Sequence, residues 1–186
     1  HVEQPLPEGE PCAEYIGPIG SGHFVKMVHN GIEYADMQMI AETVQFMRQV
    51  LAMSAVEVAD IFSQWNKGKL QSYLIGITAD ILRTVDPKTG QPMVDVILDQ
   101  AGQKGTGNWT AREALELGVP ANAIAASVFA RCLSTQKKTR TIGASQLAGP
   151  EVQAKDKALW IDKLADALYC SKICSYAQGF ELMSAA

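Results

Sequence analysis

From Gly22 onward, apolar positions recur at helical spacing. Phe24, Val25, Val28, Ile32, Met39, Ile40 and Phe46 run through about thirty residues without a proline and predict one long helix. Ser54 followed by Glu57 reads as a capping box ahead of Val58, Ile61, Phe62 and Trp65, so a second helix is expected there, ending at Asn66 to Gly68. A third is expected from about Leu70 to Val85. The run Asp86-Pro87-Lys88-Thr89-Gly90 is a turn, because proline presets φ and glycine supplies a positive one. A short apolar run from Met93 to Leu98 and a loop of small residues, 101–109, follow. Thr110 with Glu113 reads as another capping box, opening a helix that stops at Gly118-Val119-Pro120. Ala121 to about Leu147 and Lys157 to the end are the last helical stretches, separated by Gly149-Pro150.

There is no strand-rich half and no tandem repeat, so the expected class is all-α, a bundle of long helices. The front of the chain differs. Pro5, Pro7, Pro11 and Pro18 exclude a helix, and only Ala13 to Ile16 has strand character. Residues 1–20 therefore read as an irregular or single-strand leader, the tail of something upstream, and residues 21–186 as the helical domain. The chain starts at His1 rather than methionine and stops at Ala186 inside a helical pattern, which suggests a piece of a longer protein.

Composition narrows the function classes. The 186 residues are 47% hydrophobic and 19% charged, values of an ordinary globular domain rather than a disordered chain. A formal charge of −4 argues against a nucleic-acid or anionic-membrane partner, so any phosphate site must be local. No apolar run reaches membrane-span length and no basic-then-apolar signal opens the chain, which suggests a soluble, cytoplasmic protein. Cys12, Cys132, Cys170 and Cys174 fit no short zinc-ligand spacing and read as reduced thiols. Cys170 and Cys174 are one helical turn apart, but no histidine lies near them, so no metal site is expected.

The chemistry sits on the first long helix. Relative to Lys26, His29 is i+3, Asn30 i+4, Glu33 i+7 and Tyr34 i+8, offsets that share one face, while Val25, Val28 and Ile32 lie on others and can bury. Such a face can be an exposed, solvating one. It can equally move protons: a neutral lysine serves as base and then acid, a carboxyl group supplies a second proton, and His29 and Asn30 bond hydroxyls or a carboxylate. Gly31 in a helix interior costs about 1 kcal/mol relative to alanine, tolerable where something approaches closely. In the loop 102–109, Gly105 and Gly107 let backbone N–H groups converge, with Lys104 and Thr106 alongside, the ingredients of a phosphate cradle. Glycine-rich loops also make plain turns. Arg131 is a lone arginine in the apolar run Phe129-Ala130-Arg131-Cys132; it either snorkels to water or meets an anion.

Together, the segment GHFVKMVHNGIEYADMQMIAE, the loop ILDQAGQKGTGNW and the runs FARCLS and ALYCSKICSYAQGF resemble the 6-phosphogluconate dehydrogenase family, from about Glu10 to the end of the chain. That resemblance implies the start of the family's helical substrate-binding and dimerisation domain, preceded by the end of an NADP-binding Rossmann domain in residues 1–20. It implies oxidative decarboxylation of 6-phosphogluconate to ribulose 5-phosphate and CO2, a step of the pentose phosphate pathway, without a metal and in a homodimer. Lys26 would be the base and then the acid at the 3-hydroxyl, and Glu33 the acid that protonates the enediol. His29 and Asn30 would bind substrate; Tyr34, Lys104 and Arg131 would hold the phosphate end, with Thr106 a weaker candidate and Lys104 also near the coenzyme. Lys26 must start uncharged, which the assembled site is expected to favour.

Departures matter too. Gly17-x-x-Gly20-x-Gly22 reverses the spacing of the dinucleotide fingerprint, so these residues are not expected to hold a pyrophosphate, and the 186 residues alone are expected to be inactive. Gly17-x-x-Gly20-x-Gly22-x-x-x-Lys26-x-x-x-Asn30 is also similar to the signature of the β-hydroxyacid dehydrogenases, from which Glu33 and the QKGTG loop distinguish it. A non-catalytic helical dimerisation module is the reading from another class.

Overall fold

The computed structural model describes residues 13–149, 152 and 154–186. Among them the only regular elements are helices: α1 Ser21–Gln49, α2 Ala55–Trp65, α3 Tyr73–Arg83, α4 Met93–Val96, α5 Thr106–Glu116, α6 Asn122–Ser134, α7 Lys137–Gln146 and α8 Lys157–Ala185. Residues 13–16 are irregular and exposed, so the strand character expected of Ala13 to Ile16 is not expressed; the rest of the expected leader, residues 1–12 with Cys12, lies outside the described residues. Among the described residues the one β-type pairing is an isolated bridge between Val85 and Pro92, closed across the turn 86–90, where Gly90 takes φ 70°.

The two long helices form the frame. At 29 residues each, α1 and α8 extend about 44 Å at 1.5 Å per residue. They run antiparallel: Phe46 meets the Trp160 ring at 5.4 Å, Asp36 meets Lys172, and Val28 and Ile32 lie against Gly179. The second half of α1 joins the larger apolar cluster, where Ile40, Met47 and Leu51 pack with Phe62 and Val58 of α2, Ile75 and Leu82 of α3, and Leu168 of α8. Its first half joins a smaller cluster, in which Val28, Ile32 and Ala35 pack with Ala114, Ile124 and Leu182.

Local chemistry sets the ends. The Ser54–Glu57 capping box is formed: Ser54 Oγ accepts from Glu57 N–H at 3.2 Å and Glu57 Oε2 accepts from Ser54 N–H at 2.7 Å. The third helix starts later than Leu70, because Ser72 caps it by accepting from Ile75 N–H while Asn66 Oδ1 accepts from Ser72 N–H. The expected single helix over 121–147 is two. Ser134 and Thr135 turn their hydroxyls back onto the carbonyls of Arg131 and Cys132, and such side-chain bonds compete with the backbone ladder. Nor does Thr110 cap a helix. The preceding helix already starts at Thr106, behind Gly105 at φ 108°, and Thr110 lies inside it, fully buried. Its hydroxyl faces two carbonyls, Thr106 O and Met27 O, each at 2.8 Å.

Candidate active site

The crossing of α1 and α5 is made close by glycine. A Cβ on Gly31 would stand 2.6 Å from Thr110 Cγ2, and one on Gly107 would stand 2.5 Å from the Tyr34 ring. Each helix thus yields a side chain's space to the other, and Thr110 bonds α5 to the α1 backbone at Met27. The close approach anticipated at Gly31 is therefore another helix.

This contact splits the polar face of α1 into two edges with Lys26 between them. On the α5 edge, Asn30 Nδ2 donates to Thr106 Oγ1 at 3.1 Å. Beside it Tyr34 is buried, with the Arg131 guanidinium 3.9 Å above its ring. On the opposite edge, His29 and Glu33 line a cavity of about 350 Å³, completed by Ile32 and Asp36 of α1, Ser72, Tyr73 and Leu74 at the start of α3, and Tyr176 of α8. Lys26 is exposed and outside that cavity; its Nζ stands 3.4 Å from His29 Nδ1, which in turn is 3.3 Å from Asn30 Oδ1. One ring nitrogen cannot both accept from an ammonium and donate to an amide oxygen. A charged Lys26 therefore selects the tautomer with bare Nδ1, and a neutral Lys26 leaves Nδ1–H free to turn to Asn30.

The loop ahead of α5 is held from α6 and α7. Arg131 Nη1 donates to Gly102 O at 2.6 Å, Ser134 Oγ accepts from Ala101 N–H at 2.9 Å, and Gln103 reaches Cys132 Sγ at 3.4 Å. Asp99, at the loop's base, takes Lys137 at 2.5 Å and Arg140 at 2.8 Å, and these two cations hold its carboxyl far below the ordinary aspartate range. Loop residues 101–105 and the first turn of α5 share the span read from sequence as one loop, 101–109. Gly105 is the left-handed cap of α5, whose first N–H groups have no partner within the helix, a helix N-terminus suited to an anion. Lys104 stands exposed beside it. Arg131, the lone arginine, uses two of its N–H groups on Gly102 O and Met37 Sδ, so it builds the loop as well as facing it.

Sequence reasoning missed three contributors. Thr110 fits a cap by pattern but serves as the α1–α5 link. Asp36 lies at i+3 from Glu33, on the His29 edge, and the same wheel could have found it. Lys172, which binds Asp36 from 136 positions away, left no local signal. Among the described residues no group of three or more His, Cys, Asp or Glu side chains could hold a metal ion, and no helix is long and apolar enough to cross a membrane. Cys132, Cys170 and Cys174 are free thiols.

The described residues thus bring a lysine, a histidine, an amide and a carboxylate onto one helix face, beside a helix start suited to an anion. Residues 22–186 match the family model described as "6-phosphogluconate dehydrogenase, C-terminal domain", and the chain belongs to that family. It is 57% identical over 175 residues to the decarboxylating 6-phosphogluconate dehydrogenase of Bacillus licheniformis, covering 93% of this chain and 38% of that protein. Bacillus subtilis (strain 168) has two such relatives, each 57% identical, an NADP(+)-dependent one over 181 residues and an NAD(+)-dependent one over 173. The solved 6-phosphogluconate dehydrogenase of Plasmodium falciparum superposes with a TM-score of 0.90 at 44% identity, over 95% of this chain and 38% of that one. The chain thus spans about two fifths of the length of the relatives it matches. Family membership decides against the β-hydroxyacid alternative, and the all-α expectation agrees with the solved relative.

Proposed function

We propose that the chain is the substrate-binding part of an enzyme that oxidatively decarboxylates 6-phosphogluconate to ribulose 5-phosphate and CO2. Residues 21–186 begin its helical domain and residues 1–20 end a coenzyme-binding domain. The enzyme works as a cytoplasmic homodimer. The observation that carries this reading is the run from Lys26 through His29 and Asn30 to Thr106, set beside the Glu33 cavity and the Lys104 helix start.

In this reading, Lys26 Nζ takes the proton of the 3-hydroxyl as C3 is oxidised. The protonated Lys26 then returns that proton to the C3 oxygen while the bond between C2 and the carboxylate carbon C1 breaks and CO2 departs, leaving an enediol across C2 and C3. Glu33 delivers a proton to the enediol carbon that becomes C1 of the product. His29 and Asn30 orient the hydroxyls, and the anion-ready start of α5, with Lys104, Tyr34 and Arg131, receives the phosphate. Bound NADP supplies the two-electron acceptor for the C3 hydrogen. The described residues fit only the reacting end of that coenzyme: Lys104 is an exposed cation for it, but no Gly-x-Gly-x-x-Gly run is present to cradle a pyrophosphate. NADP is favoured as the coenzyme on the strength of the resemblance, although the relatives include both NADP(+)- and NAD(+)-dependent enzymes.

Replacing Lys26 with Met in the full-length polypeptide tests the reading. Turnover of 6-phosphogluconate is expected to fall by about 10²- to 10⁴-fold, the range for a lost general base, with substrate binding retained. Unchanged turnover would defeat the assignment, and absence of both binding and turnover in the parent would favour a non-catalytic module.

A further inference from the structure

The α1–α8 crossing contains a part-buried ion pair that the steps above do not use. Lys172 Nζ lies 2.5 Å from Asp36 Oδ1 and 2.6 Å from Oδ2, with the two side chains 13% and 12% exposed. Every other described ion pair has at least one partner exposed by 41% or more. Burying two charges is costly unless they satisfy each other, so a pair kept here calls for an explanation beyond stability. Its place offers one. Asp36 is one helical turn beyond Glu33 and lines the same cavity, while Lys172 comes from behind, lining the neighbouring groove on α8. The titratable groups lining the cavity with Glu33 are His29 and Asp36 of α1, Tyr73 of α3 and Tyr176 of α8, with Lys172 behind Asp36; Lys26 is two turns away on α1, outside the cavity, and Arg131 of α6 is turned to Tyr34 and the loop.

We propose that Asp36 and Lys172 form a positioning pair that sets the charge beside Glu33, so that its carboxyl can hold and release a proton. This rests on Glu33 acting as the acid. Held together, the two contribute no net charge to the cavity. Without Lys172, an uncompensated carboxylate one turn away disfavours ionisation of Glu33. Without Asp36, a free ammonium can take Glu33 as its counterion and hold it ionised.

The two single variants therefore carry opposite signs. In the full-length enzyme, the alkaline limb of the kcat profile for 6-phosphogluconate, where Glu33 loses its proton, is expected to move up by about one pH unit in Lys172→Met and down by about one in Asp36→Asn. The double variant Asp36→Asn/Lys172→Met is expected to return it, and Lys172→Arg to leave it in place. Circular dichroism establishes which variants fold. Each has its own signed expectation, so a misfolded one leaves the others to decide. A limb that stays put in every folded charge variant, or moves the same way in both singles, overturns the proposal, since a purely structural pair would lower stability without opposite shifts. Glu33→Gln separates the two readings. If it keeps the activity and the limb, the acid assignment has failed; if it removes the limb while Lys172→Met leaves the limb unmoved, only the pairing role has.

Discussion

The two halves of α1 are built on different terms. Its C-terminal half packs large side chains, Ile40 and Met47, together with Leu51 just beyond its end, into a cluster shared with three other helices. Its N-terminal half meets α5 through Gly31, Gly107 and a buried threonine hydroxyl, and spends one face on Lys26, His29, Asn30 and Glu33. Close approach of backbones gives positional accuracy but buries little apolar surface, whereas burial of large side chains stabilises without aiming anything. One rigid helix can carry a site at one end because it is anchored at the other.

Substitutions at the two ends should therefore fail differently. Phe62→Ala, which hollows the larger cluster, is expected to destabilise most, by about 3 to 5 kcal/mol in denaturant unfolding, with the site geometry of the surviving folded fraction retained. Gly31→Ala is expected to cost about 1 to 3 kcal/mol through overpacking against Thr110, yet to lower turnover in the full-length enzyme more than its stability loss explains, because it moves Asn30 away from Thr106. If Gly31→Ala kept full turnover, the α1–α5 spacing would not matter to the site.

The smallest effect is expected at the base of the loop. Asp99 ionises far more readily when folded than in an unfolded chain, where its pKa is about 3.9, because Lys137 and Arg140 hold the carboxylate. The group is depressed in the folded state, so its stabilisation is complete above the unfolded value and is lost as pH falls below about 4 toward the folded one. Asp99→Asn should therefore cost a small amount of stability at neutral pH, small because exposed pairs contribute little, and that cost should shrink as pH falls below about 4, read as a flatter acid limb of the unfolding midpoint.

Elements whose causes are local were legible along the chain. The long helix from Gly22, the Ser54–Glu57 box and the turn at 86–90 depend on periodicity, a cap and proline with glycine, all within a few residues. The polar face of α1 was legible for the same reason, since helical spacing fixes which side chains share a side. Where a local rule met a tertiary competitor it failed. The Thr110–Glu113 pattern fits a capping box, but Gly105 had already started the helix and the hydroxyl found Met27 on another one. The apolar run over 121–147 fits one helix until Ser134 and Thr135 bond back to their own carbonyls.

What the order of residues determined by itself is the helical class, the set of side chains on one face of α1 and a glycine-bearing loop ahead of α5, because each follows from backbone geometry repeated over a few residues. The tertiary structure alone decided that this face divides into two edges, that Arg131 lies over Tyr34 while gripping the loop, and that Lys172 closes on Asp36. Those contacts join positions separated by 29 to 136 residues, and only the packing of helix against helix brings such groups within hydrogen-bonding distance.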